Sequence, residues 1–182
     1  MSGKMSIGAC MAATDTPAQV VVCDAGPLIH LDELGCLELL SDFGRVLSPP
    51  SVCEEVSRHR PSALNHQQVR VERLSVEVPP TADLRGMQRL FALHQAELDA
   101  LCLVRQTKAG MFLTDDTAAR LAAQQLAISV HGTIGVVVRA IRRSLKSRDE
   151  VVNTLRSLPT ASTLHVRPSF LEEIIAEVER GS

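Results

Sequence analysis

MFLTDDTAAR, at positions 111–120, decides how the chain is read. The apolar run Met111-Phe112-Leu113 has the character of a buried strand. It delivers two adjacent carboxylates, Asp115 and Asp116, into a strand-to-helix turn. Open parallel sheets place their ligand sites at the carboxyl ends of strands. Neighbouring acids repel unless they share a proton or a cation, so the question is whether other segments bring more acids to the same place.

Working outward, residues 19–23 (QVVVC) form a second apolar strand, with Asp24 at its exit. Ala25-Gly26-Pro27 turns the chain, and Pro27 suits the first turn of a helix because its missing N–H would be unpaired there. Apolar residues at 28, 29, 31, 34, 37, 39 and 40 continue at helical spacing, interrupted near Gly35. Residues 45–48 (RVLS) read as a strand stopped by Pro49-Pro50, and 51–59 as a helix with Glu54 and Glu55 in its first turns. A helix start favours negative charge by itself, so either glutamate has a plain structural reason to be there.

Residues 61–74 read as one polar helix, 75–78 as an edge strand closed by Pro79-Pro80, and 84–93 as a helix. In HQAELDALCLV (94–104) Glu97 shares a helical face with Ala100, Leu101 and Val104. Asp99 lies roughly 200° further round a helix, so only one of the two acids can be central to a compact site. Residues 118–126 read as a helix and 128–130 as a brief strand. A helix over 136–145 follows, with one basic side (Arg139, Arg142, Arg143, Lys146), then outer helices over 149–158 and 168–178. Strands alternating with helices over 19–145 define an α/β protein with a parallel sheet covered on both faces. The domain reading is a flexible leader over 1–18, an α/β domain over 19–146 and a helical extension over 147–182.

Composition narrows the function. A chain of 182 residues, 45% hydrophobic, suits one domain with a sizeable core. Four Phe and no Trp or Tyr make that core aliphatic and exclude a row of rings for stacking bases. The net charge of −2 offers no global basic field, although neutralising four acids with cations would leave the rest at about +2. The five cysteines are odd in number and lack CxxC spacing, which points to reduced thiols in a cytoplasmic protein rather than to zinc. No apolar run reaches membrane-spanning length, and 1–18 lacks the apolar stretch of a signal peptide.

Asp24 and the Asp115-Asp116 pair each leave a strand end, and Glu55 and Asp99 lie near helix starts able to face the same edge. Converging acids without a lysine suit a hard cation, Mg2+ or Mn2+, which can activate water and clamp phosphate oxygens. Thr114 and Thr133 are candidates for bonding a carboxylate or a phosphate, with turn backbone as the equal alternative. Arg120, four residues after Asp116, is spaced for an ion pair or for a substrate phosphate. His94 and His131 lie close to the motif acids, but attack by a metal-activated water needs neither.

Five segments in order, VVVCDAGPLIHL, PPSVCEEV, HQAELDALCLV, FLTDDTAARLAA and HGTIGVVV, resemble the signature of PIN-domain proteins. Within that family they are similar to the compact prokaryotic branch related to VapC-type toxin ribonucleases. The resemblance implies a three-layer α/β/α sandwich with a mostly parallel sheet and a Mg2+- or Mn2+-dependent endoribonuclease leaving a 5′-phosphate and a 3′-hydroxyl. It implies that Asp24, Asp99 and Asp116 hold the metal, and that Glu55, rather than Glu54, completes the site or positions the attacking water. Glu97 would be an accessory acid and Asp115 an extra one. RNA, a small antitoxin protein and a second copy of the chain are the implied partners, with the basic side of 139–148 as an RNA contact. Many family members carry Ser, Asn or Thr two residues after the first aspartate, where this chain has Gly26. The alternative reading is a catalytically idle PIN-like module that binds RNA or protein.

Overall fold

The structure, a computed structural model, describes residues 19–181; the predicted leader lies outside them. Strand β1 (Val20–Cys23) leads into α1 (Ala25–Glu33), a 3-10 helix (Leu37–Asp42), β2 (Arg45–Ser48), α2 (Pro50–His59) and a 3-10 turn (Pro61–Leu64). The chain continues through β3 (Val71–Arg73), α3 (Ala82–Phe91), α4 (Gln95–Thr107), β4 (Met111–Leu113), α5 (Thr117–Gln125) and β5 (Val130–His131). It ends with α6 (Thr133–Arg142), α7 (Arg148–Ala161) and α8 (Pro168–Arg180).

All five strands pair in parallel, in the order β3-β2-β1-β4-β5. Helices cover both faces, as parallel sheets require, and the fold is the expected three-layer α/β/α sandwich. One layer holds α1 and α6, with α7 and α8 outside them; in the other, α3, α4 and α5 pack on each other and α4 lies against β1 and β4. The central strands therefore carry apolar side chains on both sides: Val21, Val22, Cys23, Phe112 and Leu113 are fully buried. From β1 the chain builds outward to β2 and β3, then returns past β1 to β4 and β5. The strand order reverses between β1 and β4, and it is outside the carboxyl ends of such a pair that open sheets form a ligand crevice.

Four local readings change. The run 28–40 is not one interrupted helix: Gly35, at φ +62°, ends α1 and lets the 3-10 helix start in a new direction. Residues 61–74 are a 3-10 turn followed by the edge strand β3. The alternation Val69-Arg70-Val71-Glu72 is a strand period, and Glu72 takes two hydrogen bonds from Arg45 at the start of β2, at 3.1 and 2.6 Å. Residues 75–78 then fall outside the sheet, because the Gln106 side chain of α4 does a neighbouring strand's work. Its Oε1 accepts from the backbone of Glu77 at 2.8 Å and its Nε2 donates to the Ser75 carbonyl at 3.0 Å. Finally, α6 starts at Thr133, three residues before the predicted helix, so Gly132-Thr133 is a helix entrance.

The basic side of α6 is largely engaged within the molecule. Arg139 and Arg143 both pair with Asp42, Lys146 pairs with Glu38 at 3.2 Å, and the Arg139 guanidinium lies 4.6 Å from the Phe43 ring centroid. These cations hold α6 to the 3-10 helix, which leaves Arg142 as the member of the group best placed to act outward. The described cysteines are free and buried, and no described helix is long and apolar enough to cross a membrane.

Phe112, fully buried at the centre of β4, tests this arrangement. Phe112→Ala should cost about 3–5 kcal/mol of unfolding free energy in urea titrations; a loss under about 1 kcal/mol would be incompatible with a sheet centred there.

Candidate active site

The site begins as a consequence of register. Cys23 of β1 lies opposite Leu113 of β4, so the next residue of each strand leaves the sheet beside the other, and Asp24 N–H donates to the Leu113 carbonyl at 2.9 Å. Asp24 caps α1, its Oδ1 accepting from Ala25 N–H at 2.9 Å. Its Oδ2 accepts from the Thr114 hydroxyl, also at 2.9 Å. That hydroxyl, fully buried, accepts in turn from Asp116 N–H at 3.1 Å. Asp116 caps α5 through Ala119 N–H at 2.7 Å. Both motif aspartates are thus helix N-caps, where backbone donors and the helix dipole favour a carboxylate, and one threonine ties them together.

Above this edge lies a cavity of ≈ 750 Å3 walled by Asp24, Glu33, Glu55, Glu97, Asp115 and Asp116, with His30, His59, His94 and His165; among the described residues no Lys or Arg lines it. Asp24 is only 7% exposed. Burial pushes its carboxyl up to about 6; the Ala25 N–H and the Thr114 hydroxyl pull against this, and the charges of Glu97 and Glu55 add to it. The Glu97 carboxyl is likewise raised, by burial first and then by the charges of Asp116 and Glu55, despite the His94 N–H. Asp24, Glu55, Glu97 and Asp116 therefore form one set of mutually repelling acids delivered by β1, α2, α4 and the β4–α5 turn.

The structure separates the paired candidates. On α4 it is Glu97 that faces the cavity. Asp99, predicted as the third acid, is not part of its wall: it accepts from Ser51 of α2 at 2.7 Å and from Gln95 at 2.6 Å. The helical angle between the two positions lets only one of them face the cavity, and the packing of α4 makes it Glu97. On α2, Glu54 is exposed and pairs with Arg73 at 3.0 Å, whereas Glu55 lines the cavity.

Asp115 is more than a spare acid. Its Oδ2 meets His30 Nδ1 at 2.8 Å and the Thr133 hydroxyl at 2.6 Å, and its Oδ1 accepts from Thr133 N–H at 2.7 Å. Thr114 and Thr133, candidates for substrate contact, are fully buried with their hydroxyls engaged on Asp24 and Asp115, and neither lines the cavity. Arg120 donates to the Thr114 carbonyl at 2.9 Å instead of pairing with Asp116. A Cβ on Gly26 would stand 3.3 Å from the Asp115 Cβ and 3.6 Å from His30 Cε1. One on Gly132 would come within 2.6 Å of Asp115 Oδ1 and 2.7 Å of Arg120 Nη2. The space of the absent Gly26 side chain belongs to the Asp115–His30 pair.

Two features had little sequence signal. His30 lies one helical turn beyond Gly26, a spacing visible in the sequence but not decisive. The linker 162–167 had none: Thr163, Leu164 and His165 form one wall of the cavity. Glu33 of α1 anchors it, accepting from the Ser162 hydroxyl at 2.8 Å and from Thr163 N–H at 2.7 Å. Burial works against the ionised Glu33 carboxyl, but these hydrogen bonds outweigh it and hold the group below its ordinary range.

The donor set is all carboxylate, which fits a hard divalent cation, and Asp24 is a buried acid with no cationic partner in its cavity. Among the described residues, no three His, Cys, Asp or Glu side chains stand as a ready-made metal cage. Glu97 Oε2, for one, accepts from His94 N–H at 2.6 Å.

A five-stranded parallel sheet with an acid-lined crevice at its reversal point defines the class: a three-layer α/β/α domain with an acidic site. A family model described as a PIN domain matches residues 20–180, and the chain belongs to the PIN-domain family. The match runs through both C-terminal helices. Comparison with curated proteins gave no match. PIN domains are generally nucleases, commonly bind nucleic acid and typically use divalent metals.

The folded protein holds the Asp24 proton up to about pH 6, whereas an unperturbed aspartate releases it at 3.8. Stability therefore falls as pH rises through that window, by at most about 3 kcal/mol. In chelator, Asp24→Asn should raise the thermal midpoint at neutral pH and leave it nearly unchanged below pH 4. A variant less stable than wild type at neutral pH would contradict the strained carboxylate.

Proposed function

We propose that this protein is a divalent-metal-dependent endoribonuclease in which Asp24, Glu55, Glu97 and Asp116 hold Mg2+ or Mn2+. The observation that carries the reading is the set of four mutually repelling carboxylates around one cavity, with the most buried of them pushed toward neutrality. Membership of the PIN-domain family supports it. A divalent ion bound there would relieve that repulsion, activate a water and neutralise phosphate oxygens.

The chain's own residues do the positioning. Thr114 fixes the spacing of Asp24 and Asp116. Asp99, bonded to Ser51 and Gln95, joins α2 to α4 and so seats Glu55, one turn after Ser51, across from Glu97. Glu55 orients the attacking water, and hydrolysis leaves a 5′-phosphate and a 3′-hydroxyl. The linker residues 163–165 form one wall of the approach to the acids. A second reading, a catalytically idle module for RNA or protein, is favoured by Gly26 and by the capping bonds that occupy Glu97 and Asp116.

An Mn2+ titration with single-stranded RNA of mixed sequence separates the two. Cleavage should require the metal, stop in chelator and leave 5′-phosphate ends. Asp116→Asn and Glu97→Gln should lower the rate at least about 100-fold, the loss of a few kcal/mol at the transition state. Asp99→Asn should cost no more than about tenfold, as befits a residue acting through Ser51. Cleavage undiminished by chelator would refute the proposal, and metal binding without cleavage would establish the idle module.

A further inference from the structure

A second cleft, of ≈ 580 Å3, opens beside the acid cavity and shares Asp115, Leu164 and His165 with it. Its character is opposite. It lies between the first turns of α6 and α8 and is lined by Arg120, His131, Gly132, Arg167 and Phe170. The start of α6 is taken by Asp115, which accepts from Thr133 N–H at 2.7 Å, but the start of α8 has no side-chain cap, and helix N-termini favour phosphate. The Arg167 side chain is exposed, and among the described residues its guanidinium has no carboxylate partner. Burial first, then the charges of Arg142 and Arg120, hold the His131 imidazole below its ordinary range, which marks a positive field on this side. Among the described residues Asp115 is the one acid in the lining, and both its oxygens are engaged by Thr133 and His30. Phe170 is 45% exposed, although the molecule has few rings and an otherwise aliphatic core.

We propose that this cleft binds the nucleotide adjoining the scissile phosphate of a single-stranded RNA. Arg167 and the start of α8 hold its phosphate, and the Phe170 ring stacks on its base. The proposal rests on the ribonuclease reading for its register, since the shared wall of Leu164 and His165 sets the cleft next to the acids. The volume lies within the range of about 300–1,000 Å3 that small-ligand sites occupy. A single ring suffices for one unpaired base, whereas bases in a duplex are stacked and out of its reach.

The test uses the full chain in chelator, with a fluorescent 12-nucleotide single-stranded RNA of mixed sequence, its duplex as comparison, and anisotropy as readout. Phe170→Ala should weaken single-strand binding roughly 5- to 150-fold, the range found for one stacked base, and leave duplex binding unaffected. Arg167→Gln should weaken it about tenfold and reduce the slope of log affinity against log salt by about 0.7, one phosphate contact on a single strand. Arg45→Gln, which removes a charge at the amino end of β2, should leave affinity within about twofold. Circular dichroism confirms that each variant is folded. Wild-type protein that fails to bind the single strand, or binding that both cleft variants leave unchanged, overturns the subsite. Arg167- and Phe170-dependent binding without metal-dependent cleavage in the Mn2+ assay keeps the subsite and removes the nuclease.

Discussion

The pairing of β1 with β4 is the constraint on which the site depends. Because Cys23 stands opposite Leu113, Asp24 and Thr114 emerge together, and the Thr114 hydroxyl can reach the Asp24 carboxylate while accepting from Asp116 N–H. A slip of one residue would reverse which side chains face the core and would separate the acids from their clamp. The buried apolar residues that fix this register, Val21, Val22, Phe112 and Leu113, thus shape the site through packing. Ser48 reinforces the same edge, its buried hydroxyl donating to the Cys23 carbonyl at 2.7 Å.

Around that clamp the molecule accumulates unfavourable electrostatics. Burial already disfavours an ionised Asp24, and Glu55 and Glu97 make it worse; Asp116 and Glu55 do the same to Glu97. Local strain of this kind persists only where the surrounding fold imposes it. Here four separate segments impose it, and the two glycines nearest the acids leave room for the Asp115–His30–Thr133 cluster beneath. Asp115 differs from its neighbours because its charge is met inside the protein, so it marks the boundary of the acidic set rather than enlarging it.

Much of this was legible in the chain. Apolar runs ending in acids gave β1 and β4 together with Asp24 and Asp116, because burial on both faces leaves a continuous hydrophobic signature. Helical geometry showed that Glu97 and Asp99 must diverge, but not which one turns inward; that depends on how α4 packs against β1, β4 and α2, a tertiary matter. Glu54 and Glu55 posed the same problem, decided by Arg73 on the edge strand that the polar stretch 61–74 concealed. The Thr133 hydroxyl, read as meeting a carboxylate, a phosphate or turn backbone, meets the Asp115 carboxylate, because α6 begins earlier than its apolar periodicity suggested. Nothing local announced the linker wall, whose position comes from Glu33, about 130 residues earlier.

That linker changes the meaning of the two C-terminal helices. The family match carries through them to residue 180, and the segment between them walls both the acid cavity and the positive cleft. On the ribonuclease reading, an RNA backbone would meet opposite fields on the two sides of Leu164 and His165. Without a cation the acids would repel its phosphates, while the α8 start and the arginines next door would attract them. A strand held on the positive side would present its next phosphate to the acids, where it gains favourable contacts only once a divalent ion has neutralised them. On the ribonuclease reading proposed above, the sign change across one short linker would couple substrate placement to metal loading.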